Sequence, residues 1–321
     1  MKKTHIKKIF NCWLLLPFMA LATIIISRIA IAIPEKIESV YSRAIYPAIA
    51  SILSRISGIF PFSLDDVIYI LLIVSVPGLV LLILLRKVSL KNAGKITLNV
   101  LSLVIILFYW LWGFNYFRSD INTRLNISES EVSNEAFEKV LEEIITDVNH
   151  TYSSFENYDI NEADHLVEES YKELSQFLKL NYPMGKRKAK KITFSRFFAS
   201  AAISGYYGPF FNEIHLNKFL LPVQYPMILA HEKAHQFGVT SEAEANFYAW
   251  LVCSQSNNLQ LQYSANLYIL KYFLFQGSKL ENYSELVSKI DDNVRNDFRK
   301  ISKHWMELRN EKIDHAAGKV N

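Results

Sequence analysis

The residues in this sequence whose types and spacing could do chemistry are His231-Glu232-Lys233-Ala234-His235, an HExxH. On a helix, side chains four apart lie one turn above each other, so both imidazoles face one side and can share a tetrahedral metal. Glu232 projects about 100° around from His231, where its carboxylate can reach a metal-bound water without being a ligand. The chain's own His and Glu frequencies give on the order of 0.01 accidental matches, so the motif needs support from its surroundings.

That support lies in the next residues. A catalytic zinc takes three protein ligands and keeps a fourth position open. After Gly238 the chain reads Val239-Thr240-Ser241-Glu242-Ala243-Glu244-Ala245-Asn246. A tight turn at the glycine, followed by a helix capped by Ser241, would fold back and aim Glu242 at the two histidines. Asn246, four residues on and on the same face, is placed to hydrogen-bond a ligating histidine. Glu244 points away from that face and reads as an exposed first-turn carboxylate favoured by the helix dipole. The site predicted is one Zn2+ held by His231, His235 and Glu242. Its net charge near +1 would bring the pKa of a bound water to about 7. Glu232 would accept that water's proton and pass it to a leaving amine, which is metal-assisted peptide hydrolysis.

These residues need elements to hold them. The motif sits in helical text over 225–237, followed by further helices over 242–256, 259–275 and 283–308. Two amphipathic helices are predicted upstream, over 133–152 and 162–180. Between them and the motif, 192–194 and 202–216 are aromatic, β-branched and punctuated by Gly205, Gly208 and Pro209, which predicts a small β-sheet. The soluble part is thus α+β and mostly helical. Its 205–216 segment could offer an edge strand to an extended peptide. Tyr206, Tyr207, Arg196 and His215 are candidates to stabilise an oxyanion, although packing or solvent-facing roles suit each of them as well. His5, His150, His165, His304 and His315 sit in no ligand spacing. The basic run Lys186, Arg187, Lys188, Lys190 and Lys191 reads as a solvated loop rather than a lipid contact.

The front of the chain is different. Half of the 321 residues are hydrophobic and 21% are charged, which excludes a disordered or collagen-like chain. The net charge of +4 is unevenly spread: residues 1–117 carry 12 Lys+Arg against 4 Asp+Glu, and 118–321 carry 23 against 27. Two cysteines, Cys12 and Cys253, cannot build a disulfide framework. Apolar stretches over 9–26, 67–85 and 96–117 are long enough to span about 30 Å of hydrocarbon. The third ends in Tyr109, Trp110, Trp112, Tyr116 and Phe117, suited to a membrane–water boundary. A semi-apolar stretch, 44–62, is read as a helix lying on the outer surface or packed over the spans.

Lys2, Lys3, Lys7 and Lys8 at the start, and Arg86, Lys87, Lys91 and Lys95 between the second and third spans, have no acidic neighbours in their loops. The positive-inside rule then puts the N-terminus in the cytoplasm and 118–321 outside the cell membrane. Ala30-Ile31-Ala32 would suit signal cleavage, but the first apolar run is long for that and reads as an anchor. The organisation expected is a multi-pass helical membrane region, 1–117, and an extracytoplasmic domain, 118–321. No nucleic-acid motif occurs, and the sequence leaves the oligomeric state open.

YYGPFFNEIHLN (206–217), LPVQYPMILAHEKAHQFG and SEAEANFYAWL (241–251), with PFSLDD before the second span, resemble a bacterial membrane family, domain of unknown function 3810. The resemblance implies three spans followed by an extracytoplasmic zincin-like domain. The HExxH…ExEAN arrangement is also similar to gluzincin peptidases. It implies that their metal ligands correspond to His231, His235 and Glu242, and their catalytic carboxylate to Glu232. Only six residues separate His235 from Glu242, fewer than in most gluzincins, and an Asn stands where many have Asp. The short gap resembles metzincins through Gly238, but their third histidine is missing here. The function expected is a membrane-anchored zinc metallopeptidase with a peptide or protein substrate outside the membrane. The alternative is a non-catalytic sensor or scaffold of the same fold. Intramembrane proteolysis is disfavoured, because Pro222 and Pro226 interrupt the short apolar run before the motif.

Overall fold

A computed structural model describes residues 12–128, 131–183, 185 and 187–310. Residues 9–11 of the first expected span, the four N-terminal lysines, His5, Lys186 and His315 lie outside them. The described chain is mostly helical and divides into two units. One comprises residues up to Ser119 together with Gly208–Glu213; the other comprises Asp120–Tyr207 and the chain from Ile214 onward.

In the first unit, α1 (Leu15–Ala30) is followed by a short α2 (Pro34–Lys36), a π-helical stretch (Ile37–Ile45) and α3 (Tyr46–Ser57). Then come α4 (Leu64–Leu84) and α5 (Leu90–Leu111). Among the described residues α4 and α5 are each long and apolar enough to cross a membrane. The pair Leu15–Ala30 and Pro34–Ser57, bent by 111°, makes a third candidate if it counts as one span. These helices mark a membrane protein.

The span expected over 96–117 is displaced. Ser89 caps α5 by accepting from the Asn92 N–H, so Lys91 and Lys95 lie inside the helix rather than in a loop. The helix ends before Gly113, and a 3₁₀ turn carries Gly113–Phe117. The stretch expected over 44–62 belongs to the helical run that begins at Pro34 and stops at Gly58. Glu38, on the π-helical stretch, pairs both carboxylate oxygens with Arg118 at 2.7 and 2.9 Å.

The first unit also holds a piece of chain from far downstream. Asp65 accepts from the Phe210 and Phe211 N–H groups at 3.0 and 3.1 Å. Glu213 accepts from Ser63 Oγ and the Asp65 N–H at 2.9 and 3.0 Å, and Asn212 donates to Tyr46 Oη at 3.0 Å. The PFSLDD and GPFFNE segments, nearly 150 residues apart, are thus locked together.

The second unit begins with α6 (Ile121–Leu125), α7 (Asn134–His150) and α8 (Ile160–Leu174). Helix α8 stops six residues before the expected 180. A mixed sheet of three strands follows among the described residues, β1 (Lys190–Lys191), β2 (Gly205–Gly208) and β3 (Glu213–Leu216), in the order β1-β3-β2, with α9 (Ser195–Ser200) between the first two. Strand β1 runs parallel to β3 and lies two residues before the expected 192–194. After it come α10 (Tyr225–Gln236), α11 (Glu242–Ser254) and α12 (Leu259–Gly277). The helix expected over 283–308 is two, α13 (Tyr283–Ser288) and α14 (Asp292–Leu308).

Two apolar clusters organise this unit. One joins α8, α10 and α11 through Val167, Tyr171, Met227, Leu229, Tyr248 and Val252. The other joins α7, α12 and α13 through Leu141, Ile145, Leu267, Leu270 and Leu286. Cys253, a free thiol, is buried in the first.

Candidate metal centre

Helix α10 ends in a left-handed turn at Gly238, whose φ is 86°. The Val239 N–H bonds the Ala234 carbonyl and the Gly238 N–H bonds the His235 carbonyl, both at 3.0 Å, a Schellman closure that a side chain at 238 would strain. Ser241 then caps α11 by accepting from the Glu244 N–H. The reversal packs α11 along α10, with Ala230, Ala234, Ala245 and Ala249 all buried in their shared core.

This turn brings Glu242 to the two histidines. Its carboxylate oxygens lie 3.1 Å from His231 Nε2 and 3.4 Å from His235 Nε2, and the two Nε2 atoms are 3.1 Å apart. Among the described residues these three form the group able to hold a metal ion. One Glu242 oxygen meets His231 and the other meets His235, and one ligand atom from each of the three residues lies within 4.8 Å of the others.

The opposite ring nitrogens are engaged. His231 Nδ1 is 2.9 Å from Asn246 Oδ1, and His235 Nδ1 is 2.8 Å from the Val239 carbonyl. With both Nδ1 atoms donating, both Nε2 atoms present lone pairs toward each other and toward a carboxylate. Three electron-rich atoms crowded this closely call for a cation between them. Burial disfavours the His235 imidazolium, but Glu242, Glu232 and the Val239 carbonyl outweigh it and raise its pKa. The two histidine rings beside it hold Glu242 well below the ordinary carboxylate range.

Glu232 is buried, and burial pushes its carboxyl above the ordinary range, although His231, His235 and His215 pull against that shift. Its side chain presses on β2. A methyl group added at Gly205 would sit 2.6 Å from Glu232 Oε1 and 2.9 Å from its Cγ. Gly205→Ala is therefore expected to displace the carboxylate and to cost about 1–3 kcal/mol of stability. A thermal midpoint equal to the wild type would show that the glutamate has room to swing away.

The remaining expected residues fall as follows. Tyr206 stacks between His215 (ring centroids 4.3 Å) and Phe198 (5.5 Å), and its carbonyl faces His215 Nδ1 at 3.3 Å. Tyr207 packs against the main core. Arg196 lies over the Phe219 ring. Within the expected edge segment, β2 is an outer strand while β3 is central, so β2 alone has an edge to offer. Glu244 is not a solvated carboxylate: it pairs with buried Arg124 and accepts from the Ile121 N–H at 3.1 Å, tying α11 to α6.

Several residues had no signal in the motif. Tyr268, on α12, donates to Asn246 Oδ1 at 3.1 Å and so steadies the partner of His231. Lys233 is fully buried, with Nζ 3.0 Å from Glu168 Oε1, 3.0 Å from the Arg187 carbonyl and 3.5 Å from Asp164. Arg187 pairs with Glu168 at 3.2 Å and stacks on Tyr182, which also donates to Glu168. Arg187 is buried, so that part of the basic run is no solvated loop. Tyr171 Oη donates to the Ala230 carbonyl at 2.7 Å. The motif helix is thus held from behind by a buried ionic cluster and a buried tyrosine.

The chain belongs to the family described as Protein of unknown function (DUF3810), whose model matches residues 41–321. No curated protein and no solved structure matches it.

Proposed function

We propose that this member of the DUF3810 family is a membrane-anchored zinc metallopeptidase with a zincin-like domain, hydrolysing peptide bonds on the outer side of the cytoplasmic membrane. The observation that carries the reading is the gathering of His231, His235 and Glu242, with one ligand atom of each within 4.8 Å of the others, beside a buried carboxylate one residue from the first histidine. The basic N-terminus and the basic 86–95 segment support a cytoplasmic start and an outward-facing back half.

When bound, the zinc would polarise a carbonyl and acidify a water, chemistry it supplies in known hydrolases. The chain's residues do the rest. Asn246 and Val239 fix the histidine tautomers, and Tyr268 fixes Asn246. Glu232, whose carboxyl is pushed up by burial, takes the attacking water's proton and delivers it to the leaving amine. The outer edge of β2 would align an extended peptide by main-chain hydrogen bonds.

The first test is metal content. The full chain, purified in detergent and dialysed against trace zinc, is expected to hold about one zinc per molecule by plasma emission spectrometry. Glu242→Ala or His235→Ala should reduce this below roughly a tenth, because two ligands do not make a closed site. Asn246→Ala should weaken zinc binding by about 10–100-fold. Wild-type protein that is folded yet takes up no zinc would overturn the assignment.

A further inference from the structure

Between Glu173 and Glu213 the chain has no acidic residue and seven basic ones: Lys179, Lys186, Arg187, Lys188, Lys190, Lys191 and Arg196. Arg187 is used internally, but Lys188, Lys191 and Arg196 are exposed. Among them two large apolar side chains stand in solvent, Phe194 just before α9 and Phe197 within it. Phe194 is 57% exposed and Phe197 60%. They stand three residues apart at the start of α9. The neighbouring turn adds Lys218, exposed, with its ammonium 5.2 Å from the Phe219 ring, which Arg196 approaches at 5.9 Å.

Solvent-facing phenylalanines set among lysine and arginine, with no carboxylate in the segment, cost solubility, and Phe197 meets Phe198 edge-on (ring centroids 5.8 Å) while keeping most of its surface in solvent. α9 is already anchored without them: Asn217 Nδ2 donates to the Ser195 carbonyl at 3.0 Å, and the Asn310 N–H to the Ser200 carbonyl at 2.8 Å. Apolar rings flanked by cations match the layering of a bilayer surface. The rings enter the acyl boundary while the cations remain among anionic headgroups. A bilayer is always within the protein's reach, because the same chain carries the candidate spans. Only seven residues separate Ser200 from Gly208, which is grouped with those spans.

We infer that the face formed by Phe194, Phe197, Lys191, Arg196 and Lys218 is a peripheral binding surface for anionic lipid. It is independent of any hydrolytic activity, since none of these residues touches the histidine cluster. Its effect would be to hold the second unit against negatively charged membrane and to loosen that hold where headgroups are neutral.

The test is hydrogen exchange of the full chain in nanodiscs, comparing pure phosphatidylcholine with a three-to-one mixture of phosphatidylcholine and phosphatidylglycerol. Peptides covering 190–200 are expected to exchange about tenfold more slowly in the anionic discs and to lose that difference in 0.5 M salt. Phe194→Ser/Phe197→Ser and Lys191→Glu/Arg196→Glu should each abolish the difference. As these side chains are exposed, both variants should keep wild-type exchange in α10 and α11, which separates lost docking from lost folding. Equal exchange in the two lipids for the wild type would overturn the proposal. So would protection that appears only on adding another protein, whatever the lipid.

Discussion

Replacing Glu232 by Gln is expected to leave zinc in place and to reduce peptide hydrolysis by about 10²–10⁴-fold, the range that a positioned general base contributes. The amide fills the same buried space beside Gly205 and keeps hydrogen-bonding capacity, but it cannot take a proton from water. The measurement is digestion of a mixed peptide library by the full chain, with products read by mass spectrometry and zinc content determined in parallel. Cleavage by Glu232→Gln equal to the wild type would remove Glu232 from the chemistry. Zinc-loaded wild type that cleaves nothing in the library would favour a sensor or scaffold.

The second large effect is on stability. Lys233→Ala is expected to destabilise the second unit by about 3–5 kcal/mol, because it removes a fully buried cation from the half-buried Glu168 and Asp164. In a unit of this size that lowers the thermal midpoint by roughly 6–20 °C. Lys188→Ala, one residue from Arg187 but exposed, should change stability by no more than about 0.5 kcal/mol. Similar midpoints for the two variants would show that the buried cluster is not what holds α10.

The same cluster predicts a pH response. Burial alone would raise the Glu168 pKa, but Lys233, Arg187 and Tyr182 overcome it and set it below the ordinary value of 4.5. A depressed folded-state pKa means that the stabilisation is complete above the unfolded value and is lost as pH falls through the folded one. The thermal midpoint should therefore decline on acidification below about pH 4.5, and the decline attributable to Glu168 should vanish in Glu168→Gln.

How much of this was legible depended on whether the signal was local. The two apolar stretches that became α4 and α5 could be found by length, but α5 begins six residues earlier than its apolar count suggests. A serine cap decides where a helix starts, and hydropathy does not register it. The meeting of His231, His235 and Glu242 was readable because the reversal is written in residues close in sequence, Gly238 and Ser241. Lys233 and Arg187 were not readable. A lysine inside a motif and an arginine in a basic run look solvated until Glu168, from a distant helix, is brought beside them. Tyr268 was hidden for the same reason, being 22 residues beyond Asn246. The break between α13 and α14 fell in a stretch whose helical pattern continues on both sides.

Pairing of the 208–213 loop with Tyr46, Ser63 and Asp65 has a practical corollary for anyone wishing to excise the HExxH region. A fragment starting after residue 119 would still carry that loop, severed from the groups that bond its amides and its Glu213 carboxylate. Truncation at the apparent boundary would thus fray the hairpin whose first strand cradles Glu232. Inactivity of such a fragment would report a surgical injury and not the absence of catalysis.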